Sequence, residues 1–201
     1  MNMRERMIAG LPYIGGKDGL DKLFLKARYL QNEFNNSDPS DLESRERILG
    51  ELLGSMGENA YFEPPFRCDY GFNISVGKNF YSNFNLVILD PAPVTIGDNV
   101  FIAPNVSIYT AGHPIHHEIR NTGYEYGIEV KIGNNVWIGG NTVINPGVTI
   151  GDNTVIGSGS VITKDIPSDV IAVGNPCKVL RKITDEDKKY YYKDRVFDIE
   201  V

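Results

Sequence analysis

The chain of 201 residues has three histidines, His113, His116 and His117, and all of them fall within one five-residue stretch. Imidazole exchanges a proton readily near neutral pH, so this cluster is where general-base chemistry would sit. His113, between Gly112 and Pro114, is the candidate base. The alternatives are a set of solvated loop histidines and a metal site. The pattern H-x-x-H-H is a poor metal spacing, because adjacent imidazoles rarely reach one ion together, and no metal is expected. No GxSxG, P-loop, GxGxxG or DxDxDG pattern offers another chemistry. Cys68 and Cys177 lie far apart with no CxxC partner and read as free thiols of a reducing cytoplasm.

What positions His113 is a repeat. Isoleucine recurs at 132, 138, 144, 150, 156 and 162, a spacing of six that is a multiple of the strand period and far from a multiple of 3.6. Val136, Thr142, Val148, Thr154 and Ser160, two before each later isoleucine, are small or β-branched and can share the inward face. Gly and Asn between them suit tight corners. The pattern predicts a parallel β-helix built from hexapeptides. A looser phase through Val76, Ser82, Ile88 and Val94 slips by two residues before Ile96, Ile102 and Ile108. From Ile108 to Ile132 the phase positions are Pro114, Arg120 and Tyr126, which cannot line an apolar core. Residues 112–130 are therefore predicted to form a loop ejected from the coil, the kind of interruption that carries function.

Upstream, Leu20, Leu23, Phe24, Ala27, Leu30 and Phe34 have helical spacing. Asp38-Pro39 resembles an N-cap followed by a first-turn proline, starting a second helix that runs to about Met56. The expected organisation is a helical cap over 1–58, the β-helix over 59–173, and a turn, a basic segment and a short helix through Tyr190 to Tyr192 over 174–201. Thr184 to Asp187 resembles a capping box. A net charge of −6 argues against a nucleic-acid partner. No apolar run is long enough for a membrane span, and the start shows no secretory signal.

The segments FRCDYGFNISVGKNFYSNFNLVILDPAPVTIGDNV, IAPNVSIYTAGHPIHHEIR and IGNNVWIGGNTVINPGVTIGDN, with the start RERMIAG and the ending GNPCKVLRKITDEDKKYYYKD, resemble the maltose/galactoside O-acetyltransferase family over essentially the whole chain. The resemblance implies a left-handed β-helix with three hexads per coil. It also implies a homotrimer with sites at the subunit interfaces and acetyl-CoA between neighbouring prisms. The family's catalytic histidine matches His113, which would deprotonate a sugar hydroxyl as it attacks the thioester directly. The family's loop glutamate matches Glu125, which, or else a backbone carbonyl, would orient the imidazole. A backbone N–H near Gly139–Gly140 would receive the oxyanion.

The same resemblance assigns Asn83 to aligning acceptor and thioester, with Tyr81, Asp69 and Tyr70 on the acceptor side. It assigns Trp137, Gly140 and Ser158 to the pantetheine groove, and Thr163, Lys164, Lys178 and Arg181 to the adenosine and its phosphates. Three departures bear on the acceptor. Pro91 follows Asp90 where galactoside enzymes carry an acid, and Gly15 and Phe24 replace an aspartate and an arginine that touch sugar, with Asp18 or Arg28 as substitutes. Two other functions are available to hexad proteins. A zinc enzyme resembling carbonic anhydrase would need histidines on separate coils, and a solenoid without catalysis would need only the shape.

Overall fold

The computed structural model describes residues 1–199. From Ser55 to Val173 the chain winds as a parallel β-helix of about six coils, and each full coil lays one short strand on each of three faces. The first face stacks Ser55–Met56, Ile74–Val76, Val94–Ile96, Val130–Ile132 and Thr149–Ile150. The second stacks Tyr61–Phe62, Tyr81–Ser82, Phe101–Ile102, Trp137–Ile138, Val155–Ile156 and Val170–Val173. The third stacks Phe66–Cys68, Leu86–Leu89, Ser107–Tyr109, Val143–Ile144 and Val161–Ile162.

Inside the prism the six isoleucines at 132 to 162 are all buried, each at most 3% exposed, and the small residues two positions before them are buried beside them. The hydroxyls drawn inward are satisfied by corner carbonyls. Thr142 donates to Gly139 O at 2.7 Å, Ser160 to Gly157 O at 2.5 Å and Thr154 to Pro167 O at 3.0 Å, which removes the penalty for burying them. One corner repeats asparagine in the left-handed conformation. Asn59, Asn79, Asn99, Asn135 and Asn153, and then Asp169, all have φ between 54° and 60°. Their side chains form a continuous ladder, each amide donating to the next residue along. Asn tolerates that backbone better than other non-glycine residues.

The cap closes the first coil. After α1 (Met3–Ile8) come α2 (Leu20–Asn35) and α3 (Leu42–Leu52). Ala27, Leu30 and Phe34 of α2 and Ile48, Leu49 and Leu52 of α3 merge with the solenoid core. Two amides on α2 also take the place of a missing strand. Gln31 accepts from Cys68 N and donates to Cys68 O, both at 3.0 Å. Asn35 does the same for Phe66, at 2.8 and 2.9 Å. The edge that an open solenoid would expose is thereby paired.

Several boundaries differ from the sequence reading. The six-residue α1, capped reciprocally by Asn2 and Glu5, has too little periodicity to register. The N-cap of α3 is Asp41, whose side chain accepts from Ser44 N. Asp38 instead closes a turn on Ser40, and Met56 already belongs to the first coil. At the far end Lys178–Lys182 turns back antiparallel on Val170–Val173. The terminal helix is one 3-10 stretch, Asp185–Lys189, and Tyr190–Tyr192 forms a hairpin strand with Arg195–Val196 instead of extending it.

The ejected loop is ordered. Ala111–Gly112 leaves the coil and pairs antiparallel with Tyr124–Gly127, with α4 (His117–Arg120) between them. The outer side of Tyr124–Gly127 pairs with Tyr13–Ile14 from the cap. Cap and loop are thus joined in a three-stranded sheet lying beside the prism.

Candidate active site

Every departure from the six-residue step falls on the edge between the third face and the first. Cys68 to Val76 and Ile88 to Ile96 are steps of eight, and Ile108 to Ile132 contains the whole loop. The extra residues therefore stack in successive coils: Asp69 and Tyr70, then Asp90, then the loop that begins at Thr110 and carries His113 and Glu125. The two-residue slip in the hexad phase is the sequence trace of this edge.

At the edge, His113 Nε2 lies 3.9 Å from Glu125 Oε2, with His113 55% and Glu125 25% exposed at the side chain. That distance is longer than a hydrogen bond, and the interaction is one of charge across a short gap. Asp69 stands close enough for its charge and that of Glu125 to repel. Burial chiefly, and then Glu125, push the Asp69 carboxyl up, while Arg28 draws it down. Arg28 Nη2 reaches Asp69 Oδ1 at 3.5 Å and Arg28 Nη1 donates to Cys68 O at 2.9 Å, and its guanidinium lies 4.2 Å from the Phe24 ring. Of the two proposed substitutes for the lost sugar contacts, Arg28 is the one that reaches Asp69. Asp18 is occupied elsewhere, accepting from Met3 N at 2.7 Å.

Beneath these groups is Asp90, fully buried, with its Oδ1 accepting from Asp69 N and Tyr70 N at 2.9 Å each. Its Oδ2 has no partner. Burial pushes its pKa up to about 6 against these two stabilising hydrogen bonds. Sequence reasoning missed Asp90 and also Tyr13, which is 1% exposed and sits opposite Glu125 in the cap-to-loop pairing. The step of eight between Ile88 and Ile96 was the available signal for the first. A two-residue strand leaves no signal for the second.

Tyr81, Asn83 and Trp137 form a separate group on the second face. With Phe101, Ile102 and Ala103 they line an open groove of about 450 Å³. Tyr81 stacks on Tyr61 with centroids 6.1 Å apart, and Trp137 is 56% exposed. The Asn83 Oδ1 accepts from the N–H of the next residue, Phe84, at 2.8 Å. Gly140 and Ser158 lie on the corner beyond this groove, one coil apart. Gly139 N–H is committed to Ile156 O at 2.8 Å, so of the Gly139–Gly140 pair only Gly140 keeps a free N–H among the described residues. Thr163 and Lys164 are exposed at the far end of the third face. Lys178 and Arg181 project from the last strand of the second, and Arg181 is held by Asp187 through bonds of 2.7 and 2.8 Å. Within one chain, no hydrogen bond or ion pair among the described residues links the His113 group to the Tyr81–Trp137 groove.

Burial pushes the Cys68 thiol well up, which leaves it unsuited to nucleophilic work. No cluster of three His, Cys, Asp or Glu able to hold a metal occurs among the described residues. No described helix is long and apolar enough to cross a membrane.

Comparisons with known proteins agree on one family. Residues 129–164 match the bacterial transferase hexapeptide (six repeats) model, and residues 6–57 match the maltose acetyltransferase hexapeptide capping motif. The chain is 55% identical to galactoside O-acetyltransferase of Escherichia coli (strain K12), covering 96% of both. A solved galactoside acetyltransferase in complex with coenzyme A superposes with a TM-score of 0.95 at 53% identity, covering 99% of this chain and 100% of that one. A maltose O-acetyltransferase from Clostridium difficile 630 superposes at 0.90 with 51% identity, covering 92% and 99%. The chain belongs to the maltose/galactoside O-acetyltransferase family of hexapeptide-repeat proteins.

Proposed function

We propose that the protein transfers the acetyl group of acetyl-CoA to a hydroxyl of a small sugar or glycoside, directly and in a ternary complex, with His113 as general base. The observation that carries this is the His113–Glu125 pair at the stepped edge, in a family whose named members are galactoside and maltose O-acetyltransferases. The acceptor oxygen attacks the thioester carbonyl carbon while the imidazole takes its proton. The carboxylate of Glu125 stabilises the imidazolium that forms. The free N–H at Gly140 suits the oxyanion. Collapse breaks the C–S bond, and the proton passes from His113 to the departing sulfur, giving free CoA and the O-acetyl product.

The solved relative in complex with coenzyme A supports acetyl-CoA as the co-substrate, and the family resemblance assigns the Trp137–Gly140–Ser158 line to its pantetheine, with Thr163, Lys164, Lys178 and Arg181 toward the nucleotide end. Release of Arg181 from Asp187 would free it for phosphate. His113 lies at the edge between the third and first faces, whereas the Tyr81–Asn83–Trp137 groove lies on the second face of the same prism. This supports a homotrimer in which the groove of one copy faces the His113 edge of the next. Two unpaired cysteines fit a reducing cytoplasm.

Asp69 and Arg28, with Phe24 beside them, then meet the acceptor. Pro91 and Gly15 set this pocket apart from one built to the galactoside pattern. The test is acetyl-CoA consumption across maltose, glucose and galactosides, with His113→Ala as control. Turnover on at least one sugar that is lost in the variant is expected. Hydrolysis of acetyl-CoA without any sugar dependence would overturn the reading.

A further inference from the structure

The carboxylate of Glu125 sits in a niche made by the N-terminal cap. Tyr13 and Glu125 are direct partners across the antiparallel pairing of Tyr13–Ile14 with Tyr124–Gly127, so their side chains leave the same face of that small sheet, in contact range. Tyr13 is 1% exposed and packed among Met7, Leu20 and Tyr70, so its ring has one position. Two residues on, a Cβ built on Gly15 would come within 2.8 Å of Glu125 Oε1. Glu125 therefore has its Oε1 over the bare Gly15 backbone and its Oε2 toward His113, 3.9 Å from Nε2.

We propose that Tyr13 is a positioning residue for acetyl transfer: its buried phenol, with the space left by Gly15, holds the Glu125 carboxylate beside His113. The inference rests on the role given above to Glu125. A buried phenol needs an acceptor, and of the groups around it Glu125 is its pairing partner, with Asp69 and Tyr70 adjacent. Burial first, and then the Glu125 charge, keep the Tyr13 hydroxyl protonated and thus a donor. The cap then has a catalytic duty besides closing the solenoid. It fixes one end of a loop whose other end is fixed by the coil.

Two substitutions press on the same carboxylate from different sides. Tyr13→Phe keeps the ring and removes the donor. Gly15→Ala adds a methyl 2.8 Å from Oε1, at a backbone conformation open to alanine. Each is made in the full chain alone and together with Glu125→Ala. Each single variant should lower kcat by about three- to tenfold, the scale of coupling between contacting groups. KM for acetyl-CoA and Tm should stay near the parent values. In the Glu125→Ala background neither substitution should lower kcat further. A wild-type kcat for Tyr13→Phe, or the same fold loss with and without Glu125, would overturn the proposal. If Glu125→Ala alone retains the full rate, the proposal falls with the role of Glu125, while His113→Ala separately decides the base.

Discussion

Glu125 Oε2 and His113 Nε2 stand 3.9 Å apart, although the two residues leave from opposite arms of an ordered loop. The pairing of Gly112 with Tyr126 sets that approach: each side chain is one residue from a register-locked pair. Charge at such a distance near a surface amounts to about 1–2 kcal/mol. Glu125→Gln should lower kcat roughly five- to thirtyfold at nearly constant KM for acetyl-CoA, measured by steady-state kinetics. An unchanged kcat would mean that the carboxylate does not act on the imidazole.

Asp90 makes stability depend on pH in an unusual direction. Its folded pKa of about 6 lies above the ordinary carboxylate value near 4, so across that interval the folded state binds more protons than the unfolded one. Stability should therefore fall as pH rises from about 4 to about 6, with the full deficit present above that window. Asp90→Asn keeps an oxygen to accept from Asp69 N and Tyr70 N and removes the charge. Urea titrations from pH 4 to 7 should show a flatter profile for the variant and no loss of stability at pH 7. An identical slope in both proteins would contradict the assignment.

The corner ladder allows a graded test. Asn135 has φ of 56° and lies between Asn99 and Asn153, bonded to them at 3.1 and 2.9 Å. Asn135→Ala loses both bonds and keeps a Cβ in left-handed backbone without the amide that eases it there, a cost of about 2 kcal/mol. Asn135→Gly loses the bonds alone and should cost less, as read from denaturation midpoints. Equal losses would remove backbone strain as the cause.

Trp137 lies in the open groove with Tyr81 and Phe101. Under the proposed function its indole lies along acetyl-CoA away from the reacting carbon, where it would contribute uniform binding. Trp137→Ala should raise KM for acetyl-CoA roughly tenfold, about 1.4 kcal/mol of lost apolar contact, and leave kcat within about twofold. A fall in kcat at constant KM would place the indole nearer the chemistry.

The solenoid was legible because Ile132 to Ile162 repeat a burial pattern that only stacked coils satisfy, and the loop was legible because Pro114, Arg120 and Tyr126 break it. His113 stood out as part of the chain's only histidine cluster, and the resemblance supplied most of the other site residues. Tyr13 was not legible, and Asp90 was marked only by the step of eight between Ile88 and Ile96. Each owes its importance to residues far away in sequence, Glu125 for the first and the backbone of Asp69 and Tyr70 for the second. Such proximity is created by coil register and by a short pairing of cap to loop, neither of which has a local period. The N-cap of α3 was misplaced because Asp38-Pro39 and Asp41 both fit a helix start, and only the hydrogen bond to Ser44 N separates them.

Initial rates of CoA release for His113→Ala against the parent protein, at saturating acetyl-CoA and acceptor sugar, measure the base directly. Loss of a general base costs about 10²- to 10⁴-fold, and because the side chain is 55% exposed the variant should unfold at the parent temperature. A fall within that range in a fully folded protein is the predicted result. A rate within a fewfold of the parent would contradict the account.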